Sequence, residues 1–204
     1  GKNFRNESID TTHNPEFTCL ELYEAYGDMR SMQDLIKGLI RHVAKVVFGK
    51  MKFEWLGETI DLESPWREIT YNDLICEHLG SKWFDLDVSE MKKIASEKDI
   101  SLDGIVSKKE ITHELYDKTI ESSLIQPTFV TRLPVELVPL ANSCDDDSGS
   151  VDVFELIIGG KEIAPAYSEL NDPIEQRRRF EEQAENDNSK IDNDFLTALE
   201  IGMP

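Results

Sequence analysis

Cysteine is scarce in this 204-residue chain. The three that occur, Cys19, Cys76 and Cys144, are too widely spaced for a CxxC or zinc pattern. An odd, dispersed set excludes a disulfide-stapled secreted scaffold and suits a reducing compartment. Long apolar runs are missing too: none approaches the roughly 18 residues of a membrane-spanning helix. The N-terminus has no charged-then-apolar leader pattern, so the expected location is cytoplasmic, with no membrane partner. Positive charge is in short supply, with 22 Lys and Arg against 41 Asp and Glu, a net −19. Such a surface offers no general nucleic-acid groove, so any RNA-binding basic surface is expected to be local or to lie outside these residues. A salt-adapted host would favour the same composition. Neither GxGxxG nor GxxxxGK[ST] occurs, which removes both usual glycine-rich phosphate loops. What is left, 39% hydrophobic and 31% charged, is globular, with length for one domain or two small ones.

Hydrophobic period and punctuation predict an α+β chain. A short strand is expected over 4–8, a turn at Asn14-Pro15, and a second strand in "FTCLELY" with Leu20 and Leu22 facing the core. Ser31 and Asp34 suggest the start of a helix striped by Leu35, Leu39, Val43 and Val46 or Val47, ending at Gly49. "KFEWLGETIDL" reads as a hairpin about Gly57, and "PWREITYNDLICEHLG" as a turn and then a helix. Residues 85–120 read as a mostly helical excursion. "PTFVTRLPVELVPLA" reads as a strand followed by a proline-punctuated segment, and 142–150 as an acidic loop. "VDVFELIIGGKEIAPAYSEL" predicts two strands joined by Gly159-Gly160, a pair that accepts the positive φ values of a two-residue turn. Asp172 is placed to cap a helix with Pro173 first, Glu175 three after the cap, and Glu175–Arg179 and Arg178–Glu182 as i,i+4 pairs. "DFLTALEIG" suggests a last helix.

Chemistry concentrates in two places. "FRNESIDTTHNPEFTCLELY", Phe4–Tyr23, gathers Arg5, Glu7, His13, Asn14, Glu21 and Tyr23. On a strand Arg5 and Glu7 face the same way; the guanidinium can hold a phosphate bidentately and the carboxylate can accept from an exocyclic amine. The same pair also reads as a weak exposed ion pair. Glu21 and Tyr23 suit a ligand ammonium, or an internal arginine. At the second place, the Gly159-Gly160 turn sets Ile157 opposite Glu162. Glu155 then lies diagonal to Glu162 on the same face. Two carboxylates so close repel unless a cation lies between them. Paired oxygen ligands suit Mg²⁺ carried on substrate phosphates, and a solvated acidic patch is the alternative. Glu169 is a candidate second ammonium partner. His42, His78 and His113 form no HExxH and read as structural or solvent-exposed.

These residues resemble a known family. The Phe4–Tyr23 stretch looks like motif 2 of class II lysyl-tRNA synthetases. "LIQPTFVTRLPVELVPLA" and "FELIIGGKEIAPAYSELNDP" resemble that family's next stretch and its metal- and lysine-binding segment, and "DFLTALEIGMP" the sequence before motif 3. FRNE followed by HNPEFT points to lysine rather than aspartate or asparagine. The resemblance implies that 1–204 is part of an antiparallel-sheet catalytic domain, from motif 2 to just before motif 3, inactive by itself. It implies ATP and Mg²⁺, lysine, tRNA(Lys) and a homodimeric full-length lysine–tRNA ligase. Arg5 would hold the α-phosphate and Glu7 read adenine. His13 and Asn14 would lie by the nucleotide and Phe17 stack on adenine. Glu21, Tyr23, Tyr167 and Glu169 would bind lysine; Glu155 and Glu162 would hold the metal. Two positions depart from the pattern: Pro165 where Asn is frequent, and Val138 where Ser is common. They motivate an alternative, a diverged paralogue that is a non-catalytic interaction domain or lysylates protein.

Overall fold

The computed structural model describes residues 1–6, 8–10, 13–184 and 191–202. At the N-terminus, Lys2–Phe4 (β1) and Glu16–Thr18 (β2) pair antiparallel, with Asn3 opposite Phe17. The first strand therefore starts and stops earlier than expected. The second is also short. The ladder ends where both backbone groups of Gly1 bond Cys19. Beyond it nothing among the described residues pairs with 20–23, and alternation without a ladder does not make a strand. Leu20 and Leu22, expected in the core, are exposed.

The first helix, Met29–Phe48 (α1), begins at Asp28, whose carboxylate accepts from the Ser31 N–H while the Ser31 hydroxyl accepts from the Asp28 N–H. This reciprocal box makes Ser31 the third helical residue, not the cap. Gly49, at φ 68°, ends the helix as expected. Of the predicted stripe, Leu35, Val43, Val46 and Val47 are exposed and Leu39 is half-buried, while Met29, Met32, Ile36 and Ile40 pack on the sheet. The helix carries two apolar stripes, and periodicity cannot say which one meets a sheet.

Lys52–Trp55 (β3) and Glu58–Asp61 (β4) form the hairpin expected about Gly57, with Leu56 and Gly57 both at positive φ. Arg67–Thr70 (β5), read as a turn, is a strand. Thr70 caps Tyr71–Leu79 (α2); Val88–Glu97 (α3), Lys108–Leu115 (α4) and a π-helical turn at Tyr116–Ile120 come next. Thr128–Thr131 (β6) is wholly buried. The acidic segment read as a loop contains a small hairpin, Ser143–Cys144 (β7) with Asp147–Val151 (β8). Val153–Ile158 (β9) and Lys161–Tyr167 (β10) flank the Gly-Gly turn, and Pro173–Ala184 (α5) and Asn193–Ile201 (α6) complete the order.

The central sheet runs β10-β9-β6-β5, antiparallel except for the parallel β5–β6 pair. Its two faces have separate cores. Phe129, Phe154 and Leu156 meet α1. Val130, Val153 and Ile157 meet Tyr71, Leu74, Ile75, Trp83, Met91, Leu115 and Tyr116 from the helical side. The fold is thus α+β with flanking helices. No helix among the described residues is long and apolar enough to cross a membrane.

Candidate functional site

The Gly159-Gly160 turn fixes the geometry of the site. Both glycines have positive φ, 62° and 70°, as a two-residue hairpin turn requires. Their N–H groups donate to the carbonyls of Ile125 and Leu124. A Cβ on Gly160 would lie 2.6 Å from the Ser122 carbonyl oxygen, so only glycine lets the turn dock there. The register is the expected one, with Lys161 opposite Ile158 and Glu162 opposite Ile157.

One residue later the ladder slips. Ala164 pairs with Leu156 and Pro165 with Glu155, so Ile163 is an extra residue in β10. This bulge re-aims the rest of the strand. Ala164 and Ala166 turn to the α1 face with Leu156 and Phe154. Pro165 and Tyr167 turn to the helical face, where Glu155 and Glu162 already point. Pro165 is tolerated because β10 is an edge strand. Val138 packs against the helical-side core.

The helical face thereby gathers carboxylates. The Tyr116 hydroxyl donates to Glu155 Oε2 at 3.3 Å, and the Glu162 N–H donates to Glu121 Oε1 at 3.3 Å. Asp117 and Glu121 add their charge to Glu155. Burial, then repulsion from Glu162, pushes the Glu155 carboxyl up to about 7. Burial and Glu121 raise Glu162; burial raises Glu121, Asp117 and Glu169. Tyr71 and Tyr116 are held well above the usual phenol range, chiefly by burial. Sequence reading did not find Asp117 or Glu121. They come from the helical segment, and only its docking onto the Gly-Gly turn brings them near. His113, read as structural, stacks on Tyr116 and lies 3.6 Å from Asp117.

Oxygen donors that destabilise one another's charge are suited to a divalent cation. No group of three or more such side chains among the described residues is arranged to enclose a metal alone. Glu155 and Glu162 supply two carboxylates on one face, and a cation held there would draw the rest of its shell from elsewhere, as one on phosphates does.

Tyr167 is influenced by Glu162, Glu155 and Glu169 together, which places the predicted aromatic wall beside the acidic group. Glu169 lies just past β10, its backbone bridged to Ala141. Glu21 accepts from the Tyr23 hydroxyl at 3.5 Å; both are exposed, and neither makes a hydrogen bond or ion pair with Glu169 among the described residues.

The N-terminal hairpin holds the rest. The Arg5 N–H donates to the Pro15 carbonyl at 2.9 Å, extending the β1–β2 ladder, and its guanidinium lies 5.4 Å from the centre of the half-buried Phe17 ring. His13 Nδ1 is 2.9 Å from Asp10 Oδ2, and the Asp10 N–H donates to the His13 carbonyl. Asn14 is exposed. Glu7, the expected adenine reader, lies outside the described residues.

Over residues 1–204 the chain matches the family model for tRNA synthetases class II (D, K and N). It is 42% identical over 211 residues to the lysine–tRNA ligase of Staphylococcus epidermidis, 43% to that of Staphylococcus saprophyticus, and 41% to that of Staphylococcus aureus. Each alignment takes in 100% of this chain and 43% of the relative, so the chain spans less than half the length of the proteins it matches.

Proposed function

Since this chain belongs to the tRNA synthetases of class II (D, K and N), we propose that it forms part of the catalytic domain of a longer lysine–tRNA ligase. That protein would activate lysine with ATP and transfer it to tRNA(Lys), acting as a cytoplasmic homodimer. The observation that carries the choice of lysine is the identity of 41% to 43%, over the whole chain, to proteins named lysine–tRNA ligase.

In the first step the lysine carboxylate attacks the α-phosphorus in line, giving lysyl-adenylate and pyrophosphate. In the second the 3′-terminal adenosine hydroxyl of tRNA attacks the activated carbonyl and AMP leaves. Neither step needs a covalent nucleophile from this chain; both need positioning and charge stabilisation. Arg5 clamps the α-phosphate. Phe17 offers its ring to adenine, with Glu7, His13 and Asn14 along the nucleotide. Glu155 and Glu162 would hold Mg²⁺, which when bound would supply positive charge to offset that of the phosphates. Glu169 meets the lysine ε-ammonium, Tyr167 walls the pocket, and Glu21 and Tyr23 line it.

The test is lysine-dependent ATP–pyrophosphate exchange by the full-length protein. Arg5→Ala is expected to lower exchange by about 10²–10³-fold, as for loss of one oxyanion-stabilising donor, with unchanged circular dichroism. Unchanged exchange removes Arg5 from the role. A second reading rests on Pro165, which sets a ring without donors opposite Glu155. On that reading the parent is a diverged paralogue that binds or modifies protein, and it charges no tRNA.

A further inference from the structure

The segment 139–143, a turn that runs from β6 into the start of β7, is tied by backbone bonds to two other stretches. The Leu170 N–H donates to the Leu140 carbonyl at 3.0 Å, and the Asp152 N–H donates to the Asn142 carbonyl at 2.8 Å. The Asn142 N–H donates to the Ser168 carbonyl at 2.7 Å, and Ala141 bridges Glu169. The Leu140 carbonyl and the Asn142 N–H thus meet the stretch that carries Glu169, and the Asn142 carbonyl meets Asp152 between β8 and β9. The carbonyls of 139 and 141 take no backbone bond among the described residues.

Arg179 of α5 fills that place. Its Nη1 donates to the Pro139 carbonyl at 3.1 Å and to the Ala141 carbonyl at 2.6 Å. Its Nη2 donates to the Ser143 hydroxyl at 2.8 Å, and its Nε to Glu175 Oε1 at 2.8 Å. The residue is only 3% exposed. A guanidinium that deeply buried is stable only when paired and fully bonded, and here four of its five donors are placed. The planar fork holds the Pro139 and Ala141 carbonyls and the Ser143 hydroxyl at once.

Glu169 is held through its backbone alone. Its side chain is exposed and makes no hydrogen bond or ion pair among the described residues. Its position is set through the backbone of 168–170, and that backbone is set by 140–142. We infer that Arg179 is a positioning residue for amino-acid recognition: it locks segment 139–143 and so fixes Glu169, without touching substrate. This rests on the proposed role of Glu169 toward the lysine ammonium.

The experiment is exchange kinetics on the full-length protein with Glu169→Gln, Arg179→Lys and Ser143→Ala. Glu169→Gln is expected to raise KM for lysine by about 10–100-fold, the worth of a charged hydrogen bond. Arg179→Lys keeps the charge beside Glu175 but loses the fork. It is expected to raise KM for lysine about tenfold, with kcat and KM for ATP within about twofold, and to speed amide exchange at Asn142 and Leu170 but not in β9. If Arg179→Lys does not fold, Ser143→Ala, which removes one bond of the fork, decides. It is expected to raise KM for lysine about twofold, with KM for ATP unchanged. A response to Glu169→Gln with unchanged KM for lysine in the folded Arg179 or Ser143 variant overturns the positioning role and leaves Glu169 in place. Equal rises in both KM values also overturn it. No response to Glu169→Gln overturns the reading of Glu169 and this inference with it.

Discussion

Glu162 and Tyr167 face the same side of β10 although an odd number of positions separates them. Regular strand alternation would put them on opposite faces. The extra residue Ile163 removes the conflict, leaving the Tyr167 ring beside the Glu155–Glu162 pair and Ala164 and Ala166 against α1.

Deleting Ile163 puts Glu162 and Tyr167 four positions apart, so a regular ladder should keep both on the helical face with Ala164 and Ala166 still against α1. The variant is expected to stay within about 1–3 kcal/mol of the parent in urea melts of this chain. In the full-length protein lysine-dependent exchange should be retained. Loss of exchange in a folded deletion variant would show that the site depends on the bend of the bulge and not on the shared face.

Glu155 gives a pH signature. Its folded-state carboxyl, raised to about 7, binds a proton that the unfolded chain releases near its ordinary value of 4.5. The native state therefore holds more protons between those values, and stability falls as pH rises from about 4.5 through about 7. With no divalent cation added, Glu155→Gln should be more stable than the parent by up to about 3 kcal/mol at pH 8, with the difference closing by about pH 4. Adding Mg²⁺ should recover part of the parent's loss at pH 8 and do nothing for the variant. Parallel melting curves across this range would refute the assignment.

The two hairpin turns separate backbone strain from close approach. Gly57, at φ 88°, has nothing within 4 Å of where a Cβ would stand; Gly160, at φ 70°, has the Ser122 carbonyl oxygen at 2.6 Å. Gly57→Ala should cost about 1–2 kcal/mol, the penalty of a left-handed residue. Gly160→Ala should exceed that by about 1 kcal/mol or more, because the turn must also move off Ser122. Equal costs would mean that the docking of the turn on 122–125 is not tight.

The contrast between what could be read and what could not has physical causes. Ile157–Glu162 pairing was legible because a Gly-Gly turn dictates register locally. The slip at Ile163 was not, since no residue type marks it and its cause lies in packing on both faces. Asp117 and Glu121 were hidden because their approach depends on a helical segment docking far along the chain. Arg179 looked like one half of an exposed i,i+4 pair with Glu175. The pair exists, but the fork points inward, where unpaired carbonyls need it. Glu175 closes no capping box; Asp172 alone accepts from the Ile174 and Glu175 N–H groups. On α1, the choice between two apolar stripes depended on a sheet that the helix sequence does not contain.

We propose that this chain forms a site for lysine rather than for another amino acid. Glu169 beside Tyr167 and the acidic face present negative charge that an ammonium matches and a neutral or anionic side chain does not. The direct measurement is ATP–pyrophosphate exchange by the full-length protein with lysine, aspartate and asparagine supplied separately at equal concentration. Strong exchange is expected with lysine and background with the other two. Preferential activation of aspartate or asparagine would contradict it.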